Sequence, residues 1–226
     1  MTAVFYFSGA GHSRAVAEYL AGRLGCDCVS IENAAGAPCS AAAMVFPVYS
    51  DNIPAPVKSF LKDFHCDQIA LIAVFGRMSH GNVLTQAAKL CRGEVICGAY
   101  IPTGHTYLAQ PADFNKEALA PIIGRLLNPK PAIFPRERQS FLGSLFPETR
   151  ARMMVSISVG AHCSRCGICC AVCPMGSMMH GRPGKDCLRC MRCVDACPAK
   201  ALTVRYSPIL KGYLHYPRKT EAEIYL

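Results

Sequence analysis

Eight of the chain's fifteen cysteines fall in two copies of one run. Cys163, Cys166, Cys169 and Cys173 are followed by Pro174, and Cys187, Cys190, Cys193 and Cys197 by Pro198. Three thiolates spaced by two residues wrap one corner of an iron-sulfide cubane. The fourth lies too far along the chain to close the same cluster, so ligation crosses over. The expected quartets are Cys163, Cys166, Cys169 and Cys197 for one [4Fe-4S] cluster, and Cys187, Cys190, Cys193 and Cys173 for a second. Each proline removes a backbone donor and fixes φ just after the crossing ligand, where the chain turns away. A pair of zinc sites is the rival reading. Zinc, however, is usually held by two separated cysteine pairs per ion rather than by triplets with a remote fourth ligand.

Such a segment needs only about a quarter of the 226 residues, so the upstream part must build its own core. An apolar content of 51% supports one. The longest apolar runs, Ile69 to Phe75 and Ala41 to Val48, fall far short of the roughly 18 residues of a membrane span. The first residues, MTAVFYFSGAG, carry neither a basic flank nor a small-residue cleavage site. The expectation is a cytoplasmic protein with no membrane span, its remaining thiols kept reduced.

The formal charge of +9 is unevenly placed. Residues 1–128 hold nine Lys or Arg against nine Asp or Glu, and residues 129–226 hold fifteen against six. The excess lies where eight thiols must ionise. With roughly −2 on each oxidised cluster, the total falls to about +5. Charge balance and solvation account for these basic residues without nucleic acid, and a basic face can also steer an acidic redox partner protein.

Upstream, strand and helix signals alternate, which points to α/β with a mainly parallel sheet. Strands are expected at Val4 to Phe7, Cys26 to Ile31, Met44 to Tyr49, Ile69 to Phe75 and Val95 to Ile101. Helices are expected after the first glycine turn (Val16, Tyr19, Leu20, Leu24), at Val57 to Phe64, at Val83 to Leu90 and at Phe114 to Leu127 despite Pro121. Five strands with intervening helices in this order fit a flavodoxin-like doubly wound sheet of order 2-1-3-4-5. The division expected is 1–128 for this domain, 129–158 for a linker, 159–206 for the cysteine domain and 207–226 for a tail with no readable signal. In the linker, Phe141, Leu142, Leu145 and Phe146 suggest a short amphipathic turn that docks on a domain.

Ser8, Gly9, Ala10, Gly11, His12 and Ser13 join the first strand to a helix start. Glycines there let the backbone curl around an anion, and the free N–H groups and helix dipole favour a phosphate. Arg14 stands where a dinucleotide fingerprint needs Gly or Ala, so a mononucleotide fits better.

The stretches FYFSGAGHSRAVAEYLA, FPVYSDNIPAPVKSFL and GRMSHGN, upstream of the two cysteine runs, resemble the flavodoxin-ferredoxin fusion proteins of anaerobic bacteria and archaea. The resemblance covers nearly the whole chain, loosely in the linker and tail. It implies an FMN-binding flavodoxin-like domain followed by a small α+β bacterial ferredoxin-like domain. The family's first loop usually runs SGTGNS. Ser8, Gly9, Gly11 and Ser13 therefore carry over as phosphate contacts, while Ala10 and His12 depart from the pattern, and a protonated His12 would replace the donor lost at Ala10. Pro47, Val48, Tyr49 and Ser50 match the segment beside the flavin ring, with Tyr49 as the stacking aromatic. Gly76, Arg77, Met78, His80 and Gly81 form the third loop, where Met78 or His80 would cover the ring.

The function expected is electron transfer within one molecule between FMN and two [4Fe-4S] clusters, serving donor and acceptor proteins. The alternatives are a flavin-dependent reductase of a small-molecule acceptor, with Arg77, His80 and His105 as contacts, and a non-redox partner-binding module.

Overall fold

The computed structural model describes residues 2–34, 39–134 and 147–226. Its main body is a six-stranded sheet of mixed α/β architecture. Strands β1 (Thr2–Tyr6), β2 (Asp27–Ser30), β3 (Cys39–Pro47), β4 (Cys66–Phe75) and β5 (Glu94–Pro102) lie parallel in the order β2-β1-β3-β4-β5. Five strands were expected. A sixth, Glu223–Tyr225 from the tail, adds to β5 in antiparallel sense at the edge. Three residues with intermediate exposure and no apolar run carry too little periodicity to announce a strand.

Helices α1 (His12–Leu24), α2 (Ala55–Asp63), α3 (Val83–Ala88) and α4 (Ala120–Leu127) cover both faces. α1 and α4 bury Val16, Leu20, Ile122 and Leu126 against Val4, Val45, Ile72 and Ile101. α2 and α3 bury Val57, Leu61 and Leu84 against Phe5, Met44, Phe46, Leu71 and Phe75. Alternate strand residues therefore feed opposite cores, which is why β3 and β4 read as nearly unbroken apolar runs. Each fully buried Leu or Ile contributes roughly 2 kcal/mol of transfer free energy.

The four helices expected are all present among the described residues. The last begins later than expected, with a 3-10 turn at Glu117–Leu119 before α4. Pro121 falls in the first helical turn, where its missing N–H has no intrahelical partner to lose. β3 begins five residues ahead of the expected Met44, because Ala41 to Ala43 are small core residues with weak strand propensity.

The remainder packs as a smaller unit. Helix α5 (Pro147–Met154) runs straight into β6 (Val155–Val159), which pairs antiparallel with β9 (Leu202–Tyr206). Between them lie the single-turn α6 (Ile168–Ala171), a hairpin of β7 (Met178–Met179) and β8 (Arg182–Pro183), and the single-turn α7 (Arg192–Asp195). α8 (Pro208–Leu214) then leads to β10, the edge strand above. The smaller core contains Val155, Ile157, Met178, Met191, Leu202 and Leu214.

The two cores exchange side chains. Met78 of the sheet unit belongs to the smaller core, and Leu188 of the cysteine segment belongs to the larger. Phe134 packs on the sheet so closely that a Cβ at Gly98 would strike its ring, which excludes any larger residue there. Phe141, Leu142, Leu145 and Phe146 lie outside the described residues.

Candidate functional site

A cavity of about 310 Å³ opens beyond the C-terminal ends of β3, β4 and β5. This is where doubly wound sheets place their ligands, and the volume is at the lower end of small-molecule pockets, which run from about 300 to 1,000 Å³. The sheet unit contributes His12, Pro47, Val48, Tyr49, Ser50, Gly76, Met78, Thr103, His105 and Tyr107. The smaller unit closes it with Met154, Leu188, Arg189, Cys190, Leu210 and Tyr213.

Of the six loop residues expected at the phosphate, His12 lines the cavity, and Ser8, Gly9, Ala10, Gly11 and Ser13 do not. Gly11 adopts φ 89° and begins α1, and a Cβ there would meet nothing within 4 Å. Ser8 and Ser13 are buried, and among the described residues neither Oγ has a hydrogen-bond partner. Two buried hydroxyls without partners beside an uncapped helix start are suited to an anion. Ala10 is partly exposed and has no side-chain donor to offer. His12 lines the cavity with its Nδ1 3.2 Å from Thr103 Oγ1. Burial lowers its pKa despite the raising influence of Asp195 and Asp113, so the protonated His12 expected as a substitute donor is disfavoured.

Gly9 sits at the seam between units. A Cβ on it would collide with Tyr49 Oη and with the carbonyl oxygen and Cβ of Cys190. Only glycine permits that approach. Arg192 fastens the same seam. Its Nη2 donates to Ser8 O at 2.6 Å and its Nη1 to both carboxylate oxygens of Glu32 at 2.7 and 2.9 Å, with the guanidinium 5.5 Å from the Phe7 ring centre.

The second loop lies where expected, with Pro47, Val48, Tyr49 and Ser50 all on the cavity. Ser50 and Asp51 both have positive φ (51° and 61°) in a tight turn closed by reciprocal Tyr49–Asn52 backbone bonds of 3.1 Å. Arg150 donates to Ser50 O at 2.9 Å and so ties α5 to this strained turn. Burial raises the Tyr49 hydroxyl well above its ordinary range, followed by the influence of Cys190 and Tyr107, and keeps it neutral.

The third loop departs from expectation. Gly76 and Met78 line the cavity, but Arg77, His80 and Gly81 do not. Arg77 pairs with Asp113 at 2.9 Å. His80 stacks on Tyr100 at 3.6 Å, beneath the edge strand, within reach of Glu223 (3.1 Å) and Lys219 (2.6 Å). Gly81 packs on Asp51. The tail drew His80 away, and that tail carried no readable signal.

His105 does line the cavity. Tyr107 N–H donates to its Nδ1 at 3.1 Å, and burial, then His12, lowers its pKa to about 4. A neutral imidazole protonated on Nε2 follows. Arg189 is buried on the same wall. Its Nε donates to Val155 O at 2.8 Å, its carbonyl accepts from Tyr107 Oη at 3.1 Å, and its Nη1 has no partner among the described residues.

Sequence reading missed the roof of Leu210, Tyr213 and Leu214. A signal existed in Ser207-Pro208, where Ser207 Oγ accepts from Leu210 N at 3.2 Å and Pro208 opens α8.

The eight motif cysteines border two further small cavities. Cys163, Cys166, Cys169 and Cys197 line one. Cys173, Cys187, Cys190 and Cys193 line the other. Cys170 lines neither cavity; its Sγ accepts from His180 N at 3.2 Å and its side chain is hydrogen-bonded to Cys169. Among the described residues no three His, Cys, Asp or Glu converge as ligands of a single ion. Burial pushes the Cys190 thiol up to about 11 and the Cys193 thiol up to about 12.

No protein-family model matches the chain, and none of the curated proteins does. Among solved structures, a flavodoxin from the domain Archaea is similar over 42% of this chain and 78% of its own, at 18% identity and a TM-score of 0.36. The fold described here accordingly stands on its own strand order and packing. Among the described residues, no helix is long and apolar enough to cross a membrane.

Proposed function

We propose that the chain is an electron-transfer protein that couples FMN, held at the C-terminal edge of the sheet, to two [4Fe-4S] clusters held by the crossed cysteine quartets. One observation carries the reading: Cys190 lines both the 310 Å³ cavity and the cavity of its own quartet. Leu188 lines both as well, so these two side chains form the boundary between the two sites. Bound FMN exchanges electrons singly or in pairs and each cubane passes one, so the pair supplies conversion between two-electron and one-electron chemistry.

The residues present suit these groups. The unpartnered Ser8 and Ser13 hydroxyls and the open N-terminus of α1 would hold a phosphate, and Tyr49, Val48, Met78 and Leu210 would wall the ring from water. Arg189 supplies positive charge on one wall, and the neutral His105 supplies a donor without charge. Thiols that burial holds protonated ionise only against a cationic centre, so loading the second quartet would release protons. The four cysteines of each quartet line one small cavity, of about 20 and 10 Å³, and a cubane would take one thiolate on each of its four irons.

The chain's own residues keep the units in register. Arg192 bridges Ser8 and Glu32, Arg150 reaches Ser50, and Tyr107 reaches Arg189. The test is anaerobic purification with iron, sulfide and FMN counted per chain, then rapid cluster reduction while flavin absorbance is followed. Concentration-independent flavin reduction supports the proposal. A rate that scales with protein concentration, or a protein that keeps no FMN, overturns it.

A further inference from the structure

At the opposite end of the sheet, Cys39 and Cys66 open the neighbouring strands β3 and β4 and are paired in register. Parallel neighbours lie about 4.8 Å apart, and paired residues point to the same face. That separation lies within the 4.4–6.8 Å Cα range of disulfides. The thiols already touch. Cys39 Sγ–H donates to Cys66 Sγ at 3.1 Å, and Cys66 Sγ–H donates to Gln68 O at 3.0 Å. An approach of roughly 1 Å, available from rotation about two Cα–Cβ bonds at strand ends, would bring the sulfurs to bonding distance. Two aliphatic side chains at these positions would serve packing alone.

Access is provided on the same spot. Both cysteines line a cavity of about 530 Å³ with Ser40, His65, Asp67, Arg92 and Glu94. Cys39 is partly exposed while Cys66 is buried. We propose that Cys39 and Cys66 form a reversible cross-strand disulfide, made by exchange with a low-molecular-weight disulfide that enters this cavity, with Cys39 attacked first and Cys66 resolving. Cys39 thiolate attacks one sulfur of the small disulfide and expels its other half as a thiol, leaving a mixed disulfide on Cys39. Cys66, giving up its proton, then attacks Cys39 Sγ and expels the second thiol. The balance is one small disulfide reduced to two thiols and one protein dithiol oxidised to one disulfide. Burial and the Cys39 hydrogen bond push the Cys66 thiol up to about 12, in keeping with its later role. Neither cysteine lines the 310 Å³ cavity or the cavity of either quartet, and β3 and β4 run roughly 25 Å from this end to the other.

The probe is 2-hydroxyethyl disulfide, which is neutral and so indifferent to the mixed charges of Arg92, Asp67 and Glu94. The full-length protein is treated anaerobically, alkylated and mapped residue by residue by mass spectrometry. Joint loss of Cys39 and Cys66 alkylation, with a Cys39–Cys66 cross-linked peptide that disappears on reduction, is the expected result. Both thiols remaining alkylatable, or Cys39 stopping at the mixed disulfide with Cys66 free, overturns the proposal. Cys66→Ser should trap the mixed disulfide on Cys39. Trapping on Cys66 in Cys39→Ser, with none on Cys39 in Cys66→Ser, refutes the assigned order.

Discussion

Arg192 Nη1 lies 2.7 and 2.9 Å from the two carboxylate oxygens of Glu32, joining residues 160 positions apart. The same guanidinium donates to Ser8 O at 2.6 Å, so one side chain fixes the cysteine unit against the loop proposed to hold a phosphate. Both partners are partly exposed (21% and 33%), and solvent screening holds the ion pair itself to about 0.5–1 kcal/mol. Arg192→Ala also strands the Ser8 carbonyl and should cost about 1–2 kcal/mol, against less than about 1 kcal/mol for Glu32→Gln. Urea unfolding of the two variants checks the order. Equal losses would mean that the Ser8 bond contributes nothing.

Iron content tests the quartets. The proposal expects about eight irons per chain, about four in Cys197→Ala, and an unchanged content in Cys170→Ala, whose side chain lines neither quartet's cavity although it is hydrogen-bonded to Cys169. Iron and sulfide assays after anaerobic reconstitution decide it. A Cys170→Ala protein that loses as much iron as Cys197→Ala would place the ligands wrongly.

The first loop yields a paired prediction for FMN. A Cβ at Gly11 meets no atom within 4 Å, yet Gly11→Asp forces a side chain into φ 89° and adds negative charge where a phosphate would sit, so FMN binding should fall at least about tenfold. Gly9→Ala acts differently, because its Cβ collides with Tyr49 and Cys190 and should loosen the seam between units as well. Fluorescence titration with FMN measures the first effect, and limited proteolysis of the apoprotein measures the second. NADH bound tightly by a wild-type protein that does not retain FMN would argue against a mononucleotide.

Acid should weaken the fold through His105. Its folded pKa is lowered from 6.5 to about 4 by burial and by His12, so between those values the unfolded chain binds the extra proton. The stability tied to neutral His105 is therefore complete above about pH 6.5 and is lost as pH falls toward 4. Roughly 2 kcal/mol should disappear between pH 7 and 5. His105→Gln should remove that part of the slope, as read from urea midpoints at the two pH values.

Much of the architecture could be read locally. Apolar runs such as Ile69 to Phe75 announce buried parallel strands, and the spacing of Cys163 to Cys197 divides the eight cysteines into the two sets that line separate cavities, because periodicity and spacing are short-range properties of a chain. Gly11 at the first turn and Pro47 to Ser50 on the cavity are legible for the same reason. Tertiary structure alone decided the rest. The edge strand Glu223–Tyr225, the roof of Leu210 and Tyr213, the burial of His80 on Tyr100 and the Arg192–Glu32 clamp join segments whose sequences carry no mark of one another. Their partners are set by which surfaces remain uncovered once the sheet and the cysteine unit have formed, and that is a property of the packed chain rather than of any stretch of it.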